Sequence, residues 1–93
     1  MSRNLTIRTN FWSKTGKKEQ ILIPHAIGSV EELLRFIGED VGFVFLDSGS
    51  GKLRPDIEVI LNGKEIFFYP DQLQTVLKSG DVLEITLIPL GGG

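Results

Sequence analysis

Cysteine is absent from the 93 residues. That removes disulfides, a thiol nucleophile and thiolate-bound zinc, and it fits a reducing compartment. Histidine occurs once. His25 stands beside Pro24 at a strand end, with no second imidazole or thiol nearby, so it reads as a surface residue rather than a base or ligand. There is no excess of positive charge: 10 Lys and Arg face 12 Asp and Glu, a net charge of −2. A global basic field that would attract nucleic acid is therefore missing. Without a basic stripe, Phe11 and Trp12 are local packing at the first turn and not a stacking platform for bases. No run approaches the ~20 apolar residues of a membrane span, and Met1-Ser2-Arg3-Asn4 passes straight into alternation with no secretory apolar stretch. A single cytoplasmic domain is the expected class, with one modest core.

Chemistry-bearing side chains are equally sparse. Gly49-Ser50-Gly51-Lys52 hints at a phosphate loop, but that motif places its first glycine where Leu46 stands and Ser or Thr where Leu53 stands. Asp47 with Asp56, or Glu31 with Glu32, match no carboxylate cage for a metal and no acid–base pair. No metal and no cofactor are expected.

What is present is a set of periodic segments. Leu5, Ile7, Thr9 and Phe11 alternate with Asn4, Thr6, Arg8 and Asn10, the period of a half-buried strand. Residues 13–18 are polar, and Glu19 to Ile23 resumes a strand that Pro24 ends, giving a hairpin. Val30, Leu33, Leu34 and Ile37 form a helical stripe. Ser29 and Glu32 have capping-box spacing, Glu31 and Glu32 suit the helix dipole, and Gly38 offers a stop. The apolar run Val41 to Leu46 is compatible with either a buried strand or an apolar loop. Ile57, Val59 and Leu61 alternate with Glu58 and Ile60 up to Asn62-Gly63, a strong type I′ hairpin signal. Glu65 to Tyr69 then returns as a strand. This register sets Val59 against Ile66 and Ile57 against Phe68 on the inner face, and Ile60 against Glu65 and Glu58 against Phe67 on the outer. Asp71 to Lys78 holds a short helical turn with Leu73, Val76 and Leu77 inward. Val82 to Ile88 is the last strand, with Leu83, Ile85 and Leu87 inward. Four or five strands and one main helix predict a two-layer α+β domain.

The chain closes on Pro89-Leu90-Gly91-Gly92-Gly93. Glycine reaches backbone conformations closed to other residues. From Pro89 such a tail spans about 13 Å when extended, carrying a carboxylate through channels too narrow for a β-carbon. Taken alone, the tail is equally compatible with a frayed end or a linker stub.

Several segments in order resemble the ubiquitin-like sulfur-carrier group of β-grasp proteins, above all the small subunit of molybdopterin synthase and its archaeal modifier relatives. They are Ser29-Val30-Glu31-Glu32-Leu33-Leu34, Lys52-Leu53-Arg54-Pro55, Ile60-Leu61-Asn62-Gly63-Lys64-Glu65-Ile66, Leu77-Lys78-Ser79-Gly80-Asp81 and the terminal glycines. The family tail usually ends in two glycines, and here there are three, so either Gly92-Gly93 is the working pair or Gly93 is an addition. The thiamine-pathway carrier shares fold and tail but is usually shorter.

The resemblance implies a β-grasp domain over residues 1–88, a mixed four- to five-stranded sheet packed on one helix, with residues 89–93 as a flexible tail. It implies that an E1-like adenylating enzyme activates the Gly93 carboxylate, with Gly92 beside it. Sulfur then replaces the adenylate, and the thiocarboxylate serves the molybdopterin synthase large subunit or another sulfur acceptor. The chain itself would be a carrier and no enzyme. Conjugation of the terminal glycine to lysines of other proteins begins with the same activation, and an interaction domain with an inert tail is a third reading. Partner contacts fall to Pro89, Leu90 and Gly91 and to the outer-face apolar residues Ile60, Phe67 and Ile88, which break the alternation. Arg8, Arg54 and Lys64 are candidates for steering an acidic partner.

Overall fold

In the computed structural model, residues 3–9, 19–24, 26–47 and 49–88 are described. The first strand, β1, spans Arg3–Thr9 and pairs antiparallel with β2, Glu19–Ile23. Leu5 and Ile7 are fully buried and Thr9 nearly so, as the alternation requires. Phe11, Trp12, the turn at 13–18 and His25 lie outside the described residues.

Helix α1 runs Val30–Val41 with the expected capping box. Ser29 Oγ accepts from Glu32 N at 3.2 Å, while Glu32 Oε1 accepts from the backbone N–H groups of Gly28 and Ser29. Val30, Leu33, Leu34 and Ile37 face the core. Gly38 does not stop the helix. It is buried within it, and the chain turns at Gly42, whose φ of 71° is the left-handed cap. Gly38 instead admits the returning backbone: Phe43 N donates to the Gly38 carbonyl at 3.0 Å, and a β-carbon here would run into the Phe43 carbonyl oxygen.

The run beyond the helix belongs to no named strand and makes an isolated bridge, Leu46 to Leu53. Phe45 and Leu46 are buried in the core while Val44 faces solvent. Strand β3, Ile57–Leu61, shows the predicted alternation of buried and half-buried residues. Asn62 and Gly63 both take positive φ, 52° and 81°, the signature of a type I′ turn.

The return strand is shorter than the hairpin register suggests. β4 is only Lys64–Glu65, and Ile66–Phe68 is a 3₁₀ turn. Ile60 does stand against Glu65, and Ile66 is buried, but Phe68 is 72% exposed and takes no place opposite Ile57. β4 is an edge strand with β3 as its one neighbour, so among the described residues no further strand on its free side holds the backbone in the ladder. A second 3₁₀ turn at Gln72–Gln74 buries Leu73, and Leu77 follows it inward, whereas Val76 is exposed and bridges Ser29 through its backbone.

β5, Val82–Leu87, occupies the centre of a five-stranded mixed sheet of order β2-β1-β5-β3-β4. It runs parallel to β1 and antiparallel to β3. One face of this sheet and α1 enclose a single apolar core. Burying each leucine of that core contributes about 1.5–3 kcal/mol.

Candidate functional site

No described part of the chain gathers catalytic side chains. Among the described residues no group of three His, Cys, Asp or Glu is placed to hold a metal. Asp47 serves its own loop. Its carboxylate accepts from the Ser50 hydroxyl at 2.7 Å and the Ser50 N–H at 3.1 Å, and these bonds, with one from Gly49 N–H, hold its pKa below the ordinary value. Asp56 is occupied by Arg54, whose guanidinium meets both carboxylate oxygens at 3.1 and 2.8 Å and lies 4.9 Å over the Phe43 ring.

What the fold does build is a held exit for the C-terminal segment. β5 is bonded to a neighbour on each side. One residue further, Ile88 N donates to the Asp56 carbonyl at 2.7 Å. The backbone is thus tied down to the last described residue. The residues expected to carry chemistry and contact, Pro89, Leu90, Gly91, Gly92 and Gly93, lie outside the described residues.

The other candidate contacts do not form one patch on the sheet face. Ile60 is half-buried on the outward side of β3, between Glu65 and Glu84 on the adjoining strands. Phe67, 44% exposed, follows Glu65 by two residues, within the 3₁₀ turn and not on a strand. Ile88, 38% exposed, stands level with Asp56, roughly 13 Å along the strand from Ile60. Ile60 and Ile88 therefore do not touch. Leu22, 66% exposed opposite Asn4, is a further outward apolar residue. Its signal was available in β2, where it breaks alternation in the same way that Ile60 does in β3. The exposed Phe36 was equally visible, lying off the apolar stripe of α1.

The cations expected to steer a partner are engaged. Arg8 pairs with Glu84 at 3.1 Å, Arg54 with Asp56 at 2.8 Å, and Lys64 lies 4.7 Å over the Tyr69 ring.

No protein-family model matches the chain, and no curated protein matches it in sequence. Solved structures do match over nearly its whole length. The HVO 2177 protein of Haloferax volcanii aligns with a TM-score of 0.74 at 22% identity, covering 98% of this chain and 88% of that one. Small archaeal modifier protein 1 of Methanosarcina acetivorans aligns at 0.70 and 17% identity, covering 100% and 99%. A Pyrococcus furiosus protein provisionally described as molybdopterin converting factor, subunit 1, aligns at 0.63 and 16% identity, covering 95% and 100%. With five strands in mixed order on one helix, and with these neighbours, the chain has the β-grasp, ubiquitin-like fold.

Proposed function

We propose that this chain is a sulfur carrier whose C-terminal glycine carboxylate is activated by an E1-like adenylating enzyme and converted to a thiocarboxylate. The observation that carries the reading is the route of β5. The central strand of the sheet, held by β3 up to its end, in a fold shared with a modifier and with a protein described as a molybdopterin converting factor subunit, leads into Pro89-Leu90-Gly91-Gly92-Gly93. A stiff domain so placed presents a narrow main chain to another protein's active site, and its own side chains need supply no acid, base or nucleophile.

In the first step a Gly93 carboxylate oxygen attacks the α-phosphorus of ATP and pyrophosphate leaves. In the second, a sulfide-level sulfur attacks the acyl carbon and AMP leaves, giving the thiocarboxylate. The sulfur then attacks an electrophilic carbon of an acceptor and displaces its leaving group, and water cleaves the acyl–sulfur bond of the resulting thioester to restore the Gly93 carboxylate. The acceptor proposed is a molybdopterin precursor held by the synthase large subunit. Ile60, Phe67, Ile88 and the segment from Pro89 to Gly91 are the proposed contacts, with Gly92 and Gly93 threading the active sites. The work is placed in the cytoplasm, where adenylating enzymes have ATP.

A second reading, conjugation to lysines of other proteins, has the fold likeness to the archaeal modifier in its favour. The two diverge after activation. Protein recovered from its native cells with a mass gain of about 16 Da, oxygen replaced by sulfur, supports the carrier. Gly-Gly remnants on target lysines after digestion support the modifier. Finding neither, with function intact after deletion of Gly92-Gly93, would overturn both.

A further inference from the structure

With its cations engaged, the outward sheet face has a charge opposite to the one that basic steering requires. The ladder registers set Glu65, Ile60, Glu84 and Arg8 in one row across β4, β3, β5 and β1. Glu58 lies on the same face, two residues before Ile60 and opposite Thr86. Lys64 is no part of this row, since its pairing with Leu61 puts it at the inward parity. Arg8 neutralises Glu84. Glu58 and Glu65 make no ion pair among the described residues. A half-buried isoleucine thus lies between two cross-strand glutamates, with two uncompensated carboxylates beside it.

We infer that this face docks a protein partner that lays an apolar side chain on Ile60 and sets Lys or Arg side chains against Glu58 and Glu65. The inference rests on the function proposed above in taking the outward face as the partner surface, and it adds the partner's chemistry. Carboxylates here repel the phosphates of nucleic acid and the headgroups of anionic lipid, which leaves protein as the occupant. A second copy in two-fold face-to-face contact around Ile60 would bring glutamate towards glutamate. The apolar contact supplies burial, and the charges at its rim set register and speed of encounter.

The test uses the full-length chain, labelled with nitrogen-15 and titrated with two peptides, acetyl-Arg-Leu-Leu-Arg-amide and acetyl-Glu-Leu-Leu-Glu-amide. The basic peptide is expected to shift the amides of Glu58, Ile60 and Glu65. The shifts should fade as salt rises from about 0.01 to about 1 M, where the screening length shrinks from about 30 to about 3 Å. They should also be lost in the Glu58→Gln/Glu65→Gln variant. Equal response to both peptides, response elsewhere on the surface, self-association through this face, or no response overturns the inference. In parallel, the adenylating enzyme of the same organism is assayed on the wild type and on that variant. The expected result is a KM for the carrier raised several-fold to about tenfold at low salt, the size of two exposed ion pairs, with kcat unchanged. An unchanged KM overturns the inference. Absence of any adenylation of the wild type instead refutes the carrier reading, and the peptide titration still decides the surface.

Discussion

Gly38 and Asp47 show how much a single residue's setting decides. Glycine is ordinarily a poor helix residue, about 1 kcal/mol worse than alanine, so Gly38→Ala in isolation should stabilise α1. Here the β-carbon would meet the Phe43 carbonyl and lie 3.4 Å from the Phe45 ring. Backbone cannot swing aside as a side chain can, and overpacking of this kind costs about 1–3 kcal/mol. Urea unfolding of Gly38→Ala is therefore expected to show a net loss. Gly28→Ala, whose β-carbon would make only an ordinary 3.5 Å contact with Glu32 Oε1, should stay within about 0.5 kcal/mol. Asp47 supplies the pH prediction. Its folded pKa is lowered by the Ser50 and Gly49 bonds, so the bonds favour folding above the unfolded pKa, and that support is lost as pH falls through the folded one. In an NMR titration the Ser50 amide should hold its shift to a pH below the usual carboxylate range. Asp47→Asn should abolish the transition.

At the scale of the element, α1 rests on its cap as much as on its stripe. Ser29→Ala removes the acceptor for Glu32 N and is expected to cost about 1 kcal/mol in thermal or urea unfolding. Leu34→Ala, which empties a fully buried site, should cost about 2–5 kcal/mol. Both the cap and the stripe were legible because each depends on neighbours within one or two turns, and the Asn62-Gly63 turn was legible for the same reason. β4 and Gly38 were misread because their causes are remote in sequence. The hairpin register carried through Ile66, Phe67, Phe68 and Tyr69 says nothing about a missing partner on the sheet's free edge. A glycine's spacing cannot distinguish a helix stop from the close approach of Phe43.

Across the whole molecule, the parallel pairing of β1 with β5 has no local signature, yet it is what makes the last strand the centre of the sheet. Among the described residues β5 is paired with β1 as far as Ile85 and with β3 as far as Leu87, and Ile88 N is tied to Asp56, so the β3 side holds the backbone at its end. The candidate contact Ile60 lies opposite Glu84, four residues along β5 from Ile88. A partner that contacts both Ile60 and Ile88 must therefore span roughly 13 Å of the sheet. The charge of the sheet face was not legible in composition, because net charge does not reveal which cations are spent. Only the folded arrangement shows that Arg8 is paired with Glu84 while Glu58 and Glu65 have no ion pair among the described residues.

Adenylation of Gly93 variants by the cognate adenylating enzyme, followed as ATP–pyrophosphate exchange, bears most directly on the claim that the chemistry resides in a main-chain carboxyl. Gly93→Val, or one residue added after Gly93, should reduce exchange by at least about a hundredfold, the scale on which a misplaced reacting group fails, with folding unchanged. Exchange at the wild-type rate in either variant would contradict the account.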